Sequence, residues 1–276
     1  MSGLVLELKH PPRSPVHLDM LSPDSLAGKK ATEVTNLEVW EGNRKVKLKS
    51  LFNIQGEPQA TPQEMTLEVI GDLSKTRRIG YSMTSGAIHI KGTGGLYIGE
   101  SMKGGTILID GNAGSWLGSN MKSGTIEVAG NAGDLVGAAS RGSKKGMVGG
   151  SIVIKGNAGS EVGSFMHSGT VRISGNTEMF AGVHMHGGTV HIGGDCSGRA
   201  GAHMIGGKII ISGKLPSPLP SFSFEEIRDQ TKIEKDSIRG PFYVFSGDNN
   251  EDGTGRLFVD VGHNPQLKWY EKFLET

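Results

Sequence analysis

The side chains of this sequence best suited to chemistry are four histidines in its second half. His184 and His186 flank Met185, His203 follows His184 by 19 residues, and His167 precedes His186 by 19 residues. If the chain repeats with that period, these imidazoles stack on one face at about 5–7 Å, and imidazole nitrogen is a common zinc ligand. They are the metal candidates of the chain. No carboxylate or thiolate in a matching column completes a tetrahedral site, so a solvated polar face is the favoured interpretation.

Other sources of catalysis or cofactor binding are missing from the sequence. It contains no serine nucleophile elbow, Walker loop or dinucleotide-binding fingerprint, and its many Gly-x-x-Gly matches do not lie between a strand and a helix. The single cysteine, Cys196, shares a column of small residues with Ala113, Ala132 and Ala158, which indicates a packed thiol. We therefore predict no catalytic and no cofactor-binding residue, and no cofactor, in this chain.

Composition narrows the classes of partner. The 276 residues include 29 Lys and Arg against 28 Asp and Glu, so no basic excess points to nucleic acid. No apolar run approaches the roughly 18 residues of a membrane span, and the start lacks the pattern of a signal peptide. With one cysteine, no internal disulfide can form. These features favour a cytoplasmic protein that binds neither nucleic acid nor membrane.

A glycine-punctuated repeat organises the sequence. The 44 glycines are about double the average usage, and 35 of them lie between Gly71 and Gly213, where the motif Gly-x-x-Met-x-x-Gly-x-Ile-x-Ile-x-Gly recurs. Seven units carry it: 80–92, 99–111, 118–130, 144–156, 163–175, 182–194 and 201–213. Successive units are 19 residues apart except for one spacing of 26, around Ala138–Lys145. We predict that this segment is a loop extruded from the repeat.

Four columns of the repeat are apolar in every unit. Two aliphatic columns start at Ile88 and Ile90 and are separated by a freely varying residue, which is typical of a strand with one buried face. A third column starts at Ile79, and the methionines form a fourth. Nineteen residues cannot hold a strand and a helix, so the units predict an all-β fold. We expect a parallel, right-handed β-helix of about seven to eight coils, with glycines at left-handed corners and stacked asparagines after them.

The segments before and after the repeats are suited to cap the exposed strand edges of such an array. We predict an N-terminal cap over residues 1–65, the β-helix over 66–213, and a linker with a C-terminal cap over 214–276. A hairpin is expected around Gly42-Asn43, an extended linker at Leu215–Phe224, and a short helix at Gln266–Leu274. Strands are expected at Phe242–Phe245 and Leu257–Val261.

One outward column is unusually apolar. Strand alternation directs the residue before the third inward column to the outside. That column contains Tyr97, Trp116, Leu135, Glu161, Phe180 and Arg199. A contiguous apolar strip usually marks a buried contact, so Tyr97, Trp116, Leu135 and Phe180 are the predicted partner interface. In the alternative, the N-terminal segment with Trp40 and Phe52 folds over the strip.

The repeat closely resembles the C subunit of formylmethanofuran dehydrogenase. Besides the seven units, the resemblance rests on segments 25–29, 52–57, 76–80 and 111–118, and it is weak beyond residue 213. It implies a non-catalytic scaffold in a complex that reduces CO2 and forms formylmethanofuran, or runs the reverse reaction. It also implies partner subunits: a molybdenum or tungsten pterin subunit with iron–sulfur clusters, and an amidohydrolase-like subunit with zinc.

Two other families are similar enough to remain alternatives. The C subunit of the methylotroph formyltransferase/hydrolase complex has a similar array, and there no CO2 is reduced. The C-terminal domain of the glutamate synthase large subunit is also similar and would imply an interaction domain of a different enzyme. The chain's own length and N-terminal segment favour a separate subunit over that domain. The sequence does not distinguish molybdenum from tungsten, nor a dehydrogenase from a hydrolase.

Overall fold

The computed structural model describes residues 3–274 and consists mainly of β-strands. The N-terminal strands are β1 (Leu4–Leu8), β2 (Val16–His17), β3 (Glu38–Glu41), β4 (Arg44–Lys47) and β5 (Phe52–Gln55). The repeats contain β6 (Thr66–Ile70), β7 (Thr76–Arg77), β8 (Ala87–Lys91), β9 (Lys103–Ile109), β10 (Ser123–Val128), β11 (Val148–Ile154), β12 (Ser168–Ile173), β13 (Thr177–Met179), β14 (Thr189–Ile192), β15 (Cys196–Gly198) and β16 (Lys208–Ile211). The last strands are β17 (Ser223–Ile233), β18 (Asp236–Gly247) and β19 (Gly255–Asp260).

Helices are few and short among these residues. The α-helices are α1 (Pro23–Leu26), α2 (Ala31–Thr35) and α3 (Leu48–Leu51), and 3-10 helices lie at Asn249–Glu251 and Pro265–Phe273. None of the helices in residues 3–274 has the length and apolar character needed to span a bilayer.

A 13-stranded sheet dominates the fold. Its parallel part contains, in order, β1, β6, β8, β9, β10, β11, β12, β14, β16 and β19. Each repeat pairs with the next in the register that the sequence period predicts: Ile88 pairs with Ile107, and Ile107 pairs with Ile126. The expectation of a mostly β chain with a large parallel sheet is therefore confirmed.

The four apolar columns form the core. The side chains of both aliphatic columns are buried, because alternate residues of each strand face inward. The methionine column is also fully buried: Met83, Met102, Met121, Met147, Met166, Met185 and Met204. An unbranched thioether adapts to the gap beside each corner glycine, which explains its recurrence.

The corner of each repeat contains left-handed residues of two kinds. In the third repeat, φ is 60° at Trp116, 62° at Gly118 and 56° at Asn120. The prediction of left-handed glycine corners is confirmed at Gly118. The reason given for the outward direction of Trp116 is wrong, because this residue lies in a turn and not in a strand. Its outward direction comes from the left-handed backbone.

Asparagines after the repeat form a hydrogen-bonded ladder, as predicted. The backbone N–H of Asn131 donates to Oδ1 of Asn112 at 2.8 Å, and the N–H of Asn157 donates to Oδ1 of Asn131 at 2.8 Å. The ladder continues through Asn176 to Asp195. Each side chain thus satisfies a backbone donor of the following repeat.

The N-terminal segment extends the sheet. β1 pairs parallel with β6, and β5 closes that end antiparallel to β1. The predicted hairpin is present as β3 and β4. The cover considered for the outward strip is not seen among residues 3–274: Trp40 is 49% exposed beside Lys45, and Phe52 is buried opposite Leu8.

The C-terminal segment returns to the repeats. After an irregular stretch at 214–222, β17 and β18 form a long hairpin, and β19 then pairs parallel with β16. The predicted strand Phe242–Phe245 lies within β18, and the predicted strand Leu257–Val261 overlaps β19, which ends one residue earlier at Asp260. The strand β17 was not predicted. The predicted terminal helix is the 3-10 helix Pro265–Phe273. The hairpin tip is held against β12, where Nη1 of Arg172 lies 2.7 Å from Oδ2 of Asp236.

Candidate partner-binding surface

Two outward columns frame each corner, on either side of an inward glycine. A methyl group added at Gly118 would collide with Cδ1 of Ile152, so this position faces the core. Trp116 and Asn120, two residues before and after it, share its left-handed conformation and carry large side chains that are only partly buried. The same arrangement recurs along the array and produces two parallel columns of outward side chains.

The first column forms the predicted interface, here called the outer strip: Tyr97, Trp116, Leu135 and Phe180. All four side chains are half-buried. The rings of Tyr97 and Trp116 stack with centroids 4.9 Å apart and an angle of 11° between their planes. Leu135 continues the column, because its N–H bonds to the following repeat just as that of Trp116 does. Glu161 separates Phe180 from these three in the column.

Guanidinium groups extend the stacked rings of the outer strip. Arg78 lies 5.3 Å from the ring centroid of Tyr81 and 6.0 Å from that of Tyr97. Arg141 lies 5.3 Å from the ring centroid of Trp116. These contacts form a continuous ladder of rings and cations across several repeats. Such a surface offers both stacking and charge to a partner.

A buried carboxyl lies beneath this ladder and was missed by sequence reasoning. Glu100 is 6% exposed, and its Oε2 lies 2.9 Å from Nε of Arg78. Burial raises the pKa of Glu100, and the Arg78 charge partly offsets this. The column that contains it varies from Tyr81 to Ser119, so no pattern in the sequence singled it out.

The four candidate histidines lie in two stacks. The rings of His167 and His186 are 4.4 Å apart, and the rings of His184 and His203 are 4.9 Å apart. Phe165 extends the second stack, with its ring 4.6 Å from that of His184. In residues 3–274, no three His, Cys, Asp or Glu side chains are grouped so that they could hold a metal ion.

The electrostatics of the second stack involve a distant residue. Nδ1 of His203 lies 2.7 Å from Oε1 of Glu251, which the C-terminal return places there. Partial burial lowers the pKa of His184, and the charges of His203, His186 and Lys144 lower it further against the opposing effect of Glu251. Glu251 is outside the repeat, so no column could have revealed it.

The extruded loop, Ala138–Lys145, stands beside the outer strip. Asn120 holds both of its ends: its Oδ1 accepts from the N–H of Ser140 at 3.0 Å, and its Nδ2 donates to the carbonyl of Lys145 at 2.6 Å. A pocket of about 360 Å³ lies between the loop and the array, lined in part by Trp116 and Phe165.

Cys196 is a free and buried cysteine. It is 1% exposed, and burial raises the pKa of its thiol, which disfavours the thiolate that attacks substrates and binds metals. Its backbone pairs with Thr177 in the column of small residues.

Comparison with known proteins identifies the family. No family model matches the chain. The C subunit of a tungsten-containing formylmethanofuran dehydrogenase 2 from Methanococcus maripaludis strain S2 is 54% identical over 274 residues, which cover 97% of this chain and 100% of that protein. The chain belongs to the family of formylmethanofuran dehydrogenase C subunits. A second C subunit from Methanococcus maripaludis is 44% identical over the same 97% of the chain.

Other members of this family match over a shorter region. The C subunit of the tungsten-containing enzyme of Methanothermobacter wolfeii is 38% identical over 98 residues, and this match spans only 36% of each chain. Among solved structures, the formyltransferase/hydrolase complex FhcABCD of Methylorubrum extorquens, crystallised with methylofuran, contains a similar chain. The TM-score is 0.83 at 28% identity, covering 93% of this chain and 99% of that chain.

Proposed function

We propose that this chain is a non-catalytic scaffold subunit of a formylmethanofuran dehydrogenase complex, which reduces CO2 and forms formylmethanofuran or runs the reverse reaction. The observation that carries the proposal is the 54% identity to a C subunit of that enzyme over 97% of the chain. The partners are the other subunits of the same complex.

The finer fold supports this role. We propose that the parallel array is a right-handed β-helix, since each repeat also bonds to the next at its corners and through the asparagine ladder. Contacts between neighbouring repeats make such an array long and stiff. A stiff array with one outward apolar strip can hold several partners at fixed distances.

Metals and cofactors belong to the partner subunits in this proposal. The relatives are named as tungsten-containing or molybdenum-containing enzymes. This chain does not fit such a group, since Cys196 is its only thiol and is buried with a raised pKa. The histidine stacks likewise lack the grouping that a zinc ion needs. We therefore assign the pterin, the iron–sulfur clusters and zinc to the partners.

A formyltransferase/hydrolase complex is the second candidate, because the structural match is to such an assembly. The identities favour the dehydrogenase: 54% to the C subunit of Methanococcus maripaludis against 28% to the Methylorubrum chain. Purification of the native complex and assay for a molybdenum or tungsten pterin distinguish the two. A metal-pterin is expected, and its absence from an intact complex contradicts the dehydrogenase.

A direct test of the scaffold role uses the isolated chain. We expect no hydrolysis of formylmethanofuran and no oxidation of formate by the purified recombinant protein. Reproducible turnover that is lost on substitution of His184 or His203 would show that the chain is catalytic.

The outer strip is proposed as the partner interface, and Trp116→Asp tests it. A charge placed in a desolvated contact costs about 2–4 kcal/mol of binding, a loss of 30-fold or more. Fold stability should fall less than affinity, because the outward side chain loses only its contacts with Tyr97 and Arg141. Affinity for the co-produced partner subunits is measured beside Leu108→Asp, a matched control at an exposed leucine on a strand face. Equal affinity of Trp116→Asp and the wild type would remove the strip from the interface.

A further inference from the structure

We propose that the extruded loop, Ala138–Lys145, is a basic clasp that binds an acidic segment of a partner subunit at the outer strip. The inference rests on the proposed function, since it assumes that the strip meets a partner, and it assigns the chemistry of that partner. Binding by carboxylates of an extended segment would complete a site that the loop and the strip form together.

The charges of the loop are not neutralised within the chain. Arg141, Lys144 and Lys145 are all exposed and give the loop three positive charges without a carboxylate of its own. No ion pair from these three side chains is present among residues 3–274. Like charges so close in sequence repel one another, which favours a bound anion.

The loop is held in place although its tip is exposed. Asn120 binds both ends, and within the loop the N–H of Lys145 donates to Oγ of Ser143 at 3.1 Å. The guanidinium of Arg141 is further positioned over the ring of Trp116. A preorganised cation loses less freedom on binding than a mobile one, which raises affinity.

The space beside the loop suits a peptide that carries both carboxylates and apolar groups. The pocket is lined by Trp116, Leu135 and Phe165 on the array and by the loop on the other side. Glu161 is the one carboxylate among its lining residues. On the loop side, the pocket is lined by the guanidinium-bearing Arg141 together with Ser140 and Ser143. An acidic segment therefore meets cations at the loop and apolar surface at the strip.

The test removes the three positive charges of the loop in the full chain. The variant Arg141→Ser/Lys144→Ser/Lys145→Ser is compared with Arg44→Ser/Lys47→Ser/Lys49→Ser, which removes the same charge from the exposed N-terminal segment. Affinity for the co-produced partner subunits of the complex is measured from about 50 mM to about 500 mM NaCl. We expect at least about a tenfold loss for the loop variant at low salt, shrinking as salt rises, and no comparable loss for the control.

The outcomes separate this inference from the proposed function. If the loop variant binds like the wild type while Trp116→Asp loses binding, the loop does not bind an acidic segment and the outer strip remains the interface. If neither change affects binding, the interface itself is wrong. A loss that is the same at every salt concentration, or one shared by the control, also overturns an acidic partner, because screening must weaken a contact between charges.

Discussion

Trp116 and Gly118 are two residues apart, have φ values of 60° and 62°, and yet tolerate opposite kinds of side chain. At Gly118 any side chain would enter the core against Ile152, whereas the indole of Trp116 points outward and stacks on Tyr97. A left-handed backbone alone therefore does not require glycine in this fold. Glycine is required only where the side chain would point into the core.

The comparison extends to the whole array. Inward positions stay glycine or apolar in every repeat, because they pack closely against the neighbouring repeats. Outward positions keep one backbone conformation while the residue changes from Tyr97 to Arg199. A bulky residue in this conformation costs about 1–3 kcal/mol of strain. Repeated acceptance of that cost on one face supports a function for the exposed side chains.

The largest expected effect is that of Gly118→Val. Strain of about 1–3 kcal/mol at positive φ adds to an overpacking cost of about 1–3 kcal/mol against Ile152, for a total near 2–6 kcal/mol. The matched substitution Trp116→Val adds a β-branch outside the core at a position that already has a positive φ, so it should cost less than half as much. Urea denaturation of both variants and the wild type measures the difference.

Equal losses at the two positions would break the comparison, since side-chain direction would then be irrelevant. A loss below about 1 kcal/mol for Gly118→Val would mean that the corner repacks around the added side chain.

A smaller effect is expected at the asparagine ladder, where a polar side chain and not glycine joins the repeats. Asn131→Ala removes the acceptor of the Asn157 N–H and should cost about 0.5–1.5 kcal/mol. The control Asn53→Ala replaces an exposed asparagine outside the ladder and should change stability by less than about 0.5 kcal/mol. Denaturation midpoints compare the two, and similar losses would assign the ladder no special stabilising role.

The sequence predicted the features that recur in every repeat. It missed contacts between the repeats and segments distant in the chain. The aliphatic and methionine columns were readable because each repeat solves the same packing problem. The sequence did not predict the charged strand β17, because this strand is outside the repeat. It forms a hairpin with β18 that lies over the outside of the array. The return of β19 to β16 pairs Leu257 with Ile209, a contact between distant parts of the chain that no local pattern encodes. The same return places Glu251 beside His203.

The smallest expected effect concerns the outward stack at His184 and appears as a pH dependence. The pKa of His184 lies below its ordinary value of 6.5, so the folded chain holds this proton less tightly than the unfolded chain. As the pH falls below 6.5, the unfolded state binds the proton first, and the chain loses stability until the lower folded pKa is passed.

His184→Phe removes this titration and keeps a ring between Phe165 and His203. Its free energy of unfolding should therefore fall less than that of the wild type between about pH 7 and about pH 5. Identical pH profiles for His184→Phe and the wild type would mean that protonation of His184 makes no contribution to fold stability, so that this outward column would differ from the inward columns, whose packing stabilises the fold.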